Sequence, residues 1–191
     1  MPKVVVLAGI NGAGKTSASY EVVSQTLKVK TFVNADAIAR GLNGFEPERE
    51  AVRAGRIMLE QLDALAAARE DFALETTLAA RTYAARLHTL RVLGYDVYLF
   101  YYWLNDADMA VARVATRVQA GGHHIPEETI RRRYAKSVAN FLELYRPLAD
   151  YWEVWDNSQP VRVLLGCGDQ EETLLDDPKA WNNFTRSAEH G

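Results

Sequence analysis

The chain alternates short apolar runs with longer segments whose apolar positions recur three and four apart. Val4 to Ala8 is a continuous β-branched run, as expected of a strand buried on both faces. A helix is predicted from near Lys15 to near Val29. Thr31 to Ala35 follows as a second strand, then Glu48 to about Ala68 as a long helix with Val52, Met58, Leu62 and Leu65 on one stripe. Phe72 to Thr76 reads as a third strand and Ala80 to Leu93 as a helix, with Gly94 placed to end it in a left-handed turn. Tyr95 to Leu104 is a strand dense in aromatics. Asp106 is placed to cap a helix bearing Ala110, Val111, Val114 and Val118.

After Gly121 and Gly122, Pro126 at a first helical position and Glu127 and Glu128 in the first turn open another helix. Its predicted buried stripe is Ile130, Tyr134, Val138, Phe141 and Tyr145. Trp152 to Asp156 reads as a fifth strand, Val161 to Leu165 as a weaker one, and the 170s as a short helix. Alternation of this kind predicts an α/β fold, a parallel sheet with helices on both faces. Neither an internal repeat nor a low-complexity linker is present, so 1–191 is read as one domain.

Composition narrows the function. A formal net charge of −3 argues against general affinity for nucleic acid or membrane surfaces, which need a broad basic face. The single Cys167 forbids an intrachain disulfide and suits a reducing compartment. The N-terminal apolar run is far too short for a secretory segment, so the expected location is cytoplasmic.

The candidate chemistry begins at GINGAGKT, Gly9 to Thr16, which satisfies G-x-x-x-x-G-K-[ST] between a strand and a helix. Gly9, Asn11, Gly12, Ala13, Gly14, Lys15, Thr16 and Ser17 are the predicted nucleotide-binding residues. Lys15 is expected on the β- and γ-phosphates and Thr16 on Mg²⁺. A GTPase would need an N-K-x-D loop, and a transporter-type ATPase an Asp-Glu strand end with a signature loop. Neither is present. A short chain with a lid-like segment at about 117–134 favours a small phosphotransferase using ATP.

Ligands of parallel α/β sheets gather at the carboxyl ends of strands. Asp36, after TFVNA, is placed to accept the proton of an attacking hydroxyl, or to cap the helix that follows. Glu75 ends FALET, with Thr76 beside it, and is placed to meet a metal-bound water or the acceptor. The segment VQAGGHHIPEETIRRRY supplies the cations that phosphoryl transfer needs. Arg117 is the first candidate, with Arg131 to Arg133 behind it, although helical neighbours about 100° apart cannot all face one ligand. Gly121 and Gly122 read as a hinge. His123 and His124 lack a third ligand and make a poor zinc site, so contact with phosphate or plain loop surface is expected. Asn157 and Ser158 are placed for adenine contact or for a turn.

Together these segments resemble the zeta-toxin-like P-loop kinases. The matching elements are GINGAGKT, FVNAD, LETT, RVATRVQAGGHHIPEETIRRRY and FLELYRPLADYWEVWDNS, covering Val4 to Ser158. The resemblance implies a five-stranded parallel sheet ordered 2-3-1-4-5 and ATP-dependent phosphorylation of a UDP-activated amino sugar. It also implies Asp36 as catalytic base, Glu75 as a substrate-side carboxylate and Arg117 as the first of two phosphate-contacting arginines. His123 stands near the place of the second, with Arg131, Arg132 and Arg133 further on; Arg131 and Arg133 are the substrate-side candidates. A small-molecule acceptor is the expected partner. The second reading, a nucleotide-dependent regulator acting through a bound protein, brings a cognate antitoxin instead. A nucleic-acid end kinase finds support only in the arginine cluster.

Overall fold

The computed structural model describes residues 1–122 and 124–188. Among these described residues seven strands form one sheet: β1 (Lys3–Gly9), β2 (Thr31–Val33), β3 (Phe72–Thr76), β4 (Asp96–Trp103), β5 (Tyr151–Asp156), β6 (Val163–Gly168) and β7 (Thr173–Leu175). Their spatial order is β2-β3-β1-β4-β5-β6-β7. The first five are mutually parallel in the expected order. The sheet is not confined to those five. β6 returns antiparallel on β5, and β7 pairs antiparallel with β6, where the 170s were expected to be helical. The C-terminal helix, α7 (Pro178–Arg186), starts later, where Asp177 accepts bonds from Lys179 N and Ala180 N.

Alternation within strands sends successive side chains to opposite faces, and here both faces are buried. Val4, Val6 and Ala8 of β1 pack on one side with Met58, Leu62, Phe141 and Trp152. Val5 and Leu7 pack on the other with Ala110, Val114 and Ile130. β4 divides the same way, Leu99, Tyr101 and Trp103 against Phe100 and Tyr102, so its aromatics are core.

The helices are α1 (Lys15–Ser19), α2 (Ala35–Leu42), α3 (Ala51–Ala67), α4 (Thr82–Val92), α5 (Ala107–Gln119) and α6 (Glu127–Asn140). α1 continues as a π-helical stretch, Tyr20–Thr26, and α6 as another, Phe141–Tyr145. Along α3 the buried positions are Ala54, Met58 and Leu62; Val52, expected on that stripe, is 72% exposed.

The glycine pair and the helix of the expected lid make defined bonds. Gly121 adopts φ +82°, Gly121 N donates to Val118 O and Gly122 N to Arg117 O, both at 2.9 Å. This is a Schellman C-cap, which satisfies the carbonyls ending α5 instead of leaving a free hinge. α6 is fastened along its length. Ile130 and Tyr134 are buried, and the Tyr134 hydroxyl donates to Leu104 O at 2.5 Å. Ser137 bonds Tyr101 Oη and Thr77 O, and Asn140 Nδ2 donates to Leu78 O at 2.7 Å. These bonds hold the loop after β3, where buried Leu78 takes φ +56°. A left-handed leucine costs about 1–3 kcal/mol and persists only where its surroundings over-determine it.

Candidate active site

The register of the sheet assembles the site. β1 pairs with β3 so that Leu7 lies beside Glu75 and Ala8 beside Thr76. The loop leaving β1 therefore emerges next to the end of β3. Gly9, at φ +133°, lets β1 pass β4, because a Cβ there would lie 2.0 Å from Tyr102 O. Gly12 and Gly14, at φ +80° and +81°, turn the loop through conformations that side chains resist, leading into α1. From the end of β5, Asn157 Nδ2 donates to Ala13 O at 2.8 Å and props the loop from behind. Asn157 and Ser158 are thus engaged in structure rather than offered to a base. Ser158 bonds Asp156 and Asn105 N, and its carbonyl accepts from Arg113.

Lys15 is 6% exposed and its Nζ donates to Gly9 O and Ile10 O, each at 2.9 Å. Burial lowers its pKa from the ordinary lysine value. Glu75 and Asp36 oppose that shift, and Arg117 and Arg133 add to it. Thr16 Oγ1 donates to Glu75 Oε2 at 2.8 Å, and Asn34 Nδ2 donates to the same oxygen at 2.9 Å. Thr16 and Glu75 therefore place two oxygen donors side by side at the loop, a set suited to a hard divalent cation such as Mg²⁺. Ser17 follows on α1, exposed.

Asn34 caps α2: its Oδ1 accepts from Asp36 N at 2.8 Å and Ala37 N at 3.1 Å. The cap expected of Asp36 thus belongs to the residue two positions earlier. That leaves the Asp36 carboxylate on the wall of a cleft of ≈ 300 Å³, which Lys15, Glu75, Thr76, Arg117 and Arg133 also line. Asn11 lines it too, and its buried Oδ1 has no hydrogen-bond partner among the described residues. Among the cleft residues that sequence reasoning missed are Asn34, Met58 and Tyr83. The N-x-D spacing of a cap could have found Asn34; nothing local points to Tyr83.

The three consecutive arginines part company as helical geometry requires. Arg131, expected at the acceptor, turns outward to Asp108 at 2.5 Å and Glu127 at 2.8 Å. It does not line the cleft. Arg132 borders an adjoining shallow groove, which shares Ala51, Ile125 and Arg133 with the cleft, together with His124, whose backbone N donates to Glu48 at 3.3 Å. Arg133 is half-buried in the cleft. Burial, first, and then Arg132 lower its pKa, while Asp36 raises it. His123 lies outside the described residues. No helix among the described residues is long and apolar enough to cross a membrane.

A family model described as an AAA domain matches residues 4–138, more than half of the chain. The chain belongs to that family. A protein of Haemophilus influenzae, itself uncharacterised, is 29% identical over 133 residues, 69% of this chain and 92% of that protein. Among solved structures, the AvrRxo1-ORF1:AvrRxo1-ORF2 complex with sulphate ions superposes with TM-score 0.78 at 12% identity over 97% of this chain. The chain spans 64% of the length of that structure. The same complex with ATP gives 0.77. The Streptococcus pneumoniae PezAT toxin-antitoxin structure gives 0.69 at 15% identity, covering 96% of this chain and 78% of that one. A gluconokinase of Sinorhizobium meliloti gives 0.52 at 18% identity, over 98% and 94%. At these identities the likeness establishes the fold, a P-loop kinase-type α/β domain.

Proposed function

We propose that this chain is an ATP-dependent phosphotransferase acting on a hydroxyl of a small molecule. The observation that carries the reading is the meeting of Lys15, Asp36, Arg117 and Arg133 in one cleft at the mouth of the phosphate loop. The ATP held by the AvrRxo1 complex of the same fold adds support.

In this reading the loop amides and the N-terminus of α1 hold the β-phosphate, and Lys15 exchanges the Gly9 and Ile10 carbonyls for phosphate oxygens. Asp36 accepts the proton of the acceptor hydroxyl, typically worth about 10²–10⁴-fold. The new oxygen–phosphorus bond forms as the bond from the γ-phosphorus to the bridging oxygen breaks, and ADP departs with that oxygen. Lys15, Arg117 and Arg133 offset the charge around the transferring group. Thr16 and Glu75 are the residues suited to hold Mg²⁺, which when bound neutralises charge on the β- and γ-oxygens. Label from γ-³²P-ATP should appear in a small-molecule product with the parent chain. Asp36→Asn should keep ATP affinity and lose transfer; full activity in that variant would remove Asp36 as base.

A second reading has one specific support, the likeness to proteins solved as AvrRxo1-ORF1:-ORF2 and PezAT complexes. In it the chain is regulated by a cognate antitoxin. Co-expression with a protein encoded beside it should then give a stable complex with suppressed turnover. A monodisperse free chain in that experiment removes the reading.

A further inference from the structure

The cleft has two unlike walls. Lys15, Arg117 and Arg133 come from the phosphate loop, α5 and α6. The other wall comes from α2, the end of β3 and α4, on the side of the sheet where β2 and β3 lie. Its groups are Asp36, Glu75, Thr76, Thr77 and Tyr83, over a floor that includes Met58. None of these carries positive charge.

The hydrogen bonds already made on that wall define what remains. Thr76 Oγ1 accepts from Leu78 N at 3.2 Å and Thr77 Oγ1 from Ala79 N at 3.4 Å, so each keeps its O–H to donate. The Tyr83 hydroxyl meets only the Met58 thioether at 3.6 Å among the described residues, and a thioether is a weak acceptor. Burial raises the Tyr83 pKa, so its proton stays available for donation. Glu75 spends Oε2 on Thr16 and Asn34, while neither Oε1 nor the Asp36 carboxylate receives a protein hydrogen bond among the described residues. The wall therefore offers neutral O–H donors interleaved with carboxylate acceptors.

Adjacent alcohol groups satisfy such a wall, since each donates to a carboxylate and accepts from a hydroxyl. A phosphate or carboxylate on the acceptor only accepts; on this wall it would face Asp36 and Glu75, while the cleft's cations, Lys15, Arg117 and Arg133, stand on the opposite wall where the transferring phosphoryl group engages them. The ≈ 300 Å³ cleft, shared with the transferring phosphoryl group, stands at the lower end of the ligand-pocket range. We infer that the acceptor is a small neutral polyol of monosaccharide size, not a phosphorylated or nucleotide-linked sugar. This rests on the phosphotransferase reading. The polyol donates to Glu75 and Asp36, accepts from Tyr83 and the threonines, and lays its carbon skeleton on Met58.

The test gives the full chain γ-³²P-ATP and Mg²⁺ with neutral hexoses and cyclitols, with hexose monophosphates, and with UDP-linked sugars. A small-molecule extract forms a further arm. The expected result is transfer to at least one neutral polyol, with kcat/KM tenfold or more above any charged counterpart. Tyr83→Phe should raise the polyol KM about 3–10-fold, the worth of one neutral hydrogen bond, and leave the ATP KM unchanged. Unchanged polyol kinetics in Tyr83→Phe would overturn the proposed wall. Preference for a phosphorylated or UDP-linked sugar, or transfer only to charged components of the extract, overturns the inference and leaves the phosphotransferase reading standing. No transfer in any arm overturns both.

Discussion

Asn157→Ala isolates the support behind the phosphate loop. Its Nδ2 donates to Ala13 O at 2.8 Å, and a Cβ on Gly14 would lie 2.7 Å from the same nitrogen, so amide and loop are in close contact. Truncation leaves the Ala13 carbonyl without that donor. The site is only part-buried, so water can replace some of the bond, and the loss should be about 1 kcal/mol. For a chain of this size that lowers Tm by about 2–4 °C. A loop free to turn Ala13 O inward also presents its amides less well, and the ATP Kd should rise about fivefold on the same energy scale. Calorimetric melting without nucleotide, and titration calorimetry with ATP and Mg²⁺, measure the two effects separately. A lowered Tm with unchanged ATP affinity would reduce Asn157 to a stability residue. If neither quantity moves, the loop is held by its glycine backbone alone and the reasoning fails.

Arg133→Ala should lower the transfer rate about 10³-fold, within the range of arginines that neutralise a transferring phosphoryl group. Arg131→Ala should leave rate and Tm near the parent, because its partners are Asp108 and Glu127 on the outer surface; steady-state kinetics on the pair decide this. Gly9→Ala drives a methyl into Tyr102 O, a backbone atom with nowhere to go, and should cost about 4 kcal/mol or more, read as lost soluble expression or a collapsed urea midpoint. With the Lys15 pKa lowered by burial, the unfolded chain holds the extra proton in the alkaline window beneath 10.5. Stability of the nucleotide-free protein should therefore rise with pH in that window by an increment that Lys15→Met lacks. Urea midpoints of both proteins from pH 8 to 10 check this, and parallel curves would refute it.

The first five strands were legible because each is a short apolar run between helical periods, their order came from the resemblance to the zeta-toxin-like kinases, and Gly9 to Thr16 announced where the sheet's working end lies. The antiparallel return was not legible. Val163, Leu174 and Leu175 are 46%, 57% and 38% exposed, so these edge strands lack the apolar density that signals a buried one. Lys15, Asp36 and Glu75 were readable from motif and strand-end position, and Arg117 from the cluster of cations around Gly121 and Gly122. Choosing Arg133 from three equal neighbours required the rotation of α6 about its axis, which is set by contacts as distant in sequence as Tyr134 with Leu104. The Gly121–Gly122 pair misled for a related reason. Two glycines specify backbone freedom, and only the bonds to Val118 O and Arg117 O show that freedom used up in a cap.

The bonds of α6 bear on how Arg133 is presented to the cleft. Tyr134, Ser137 and Asn140 bond the helix to the ends of β3 and β4, so the backbone that carries Arg133 is placed by the same contacts that fold the chain. In the phosphotransferase reading, an arriving anion would therefore meet a cation whose helix already lies beside the phosphate loop.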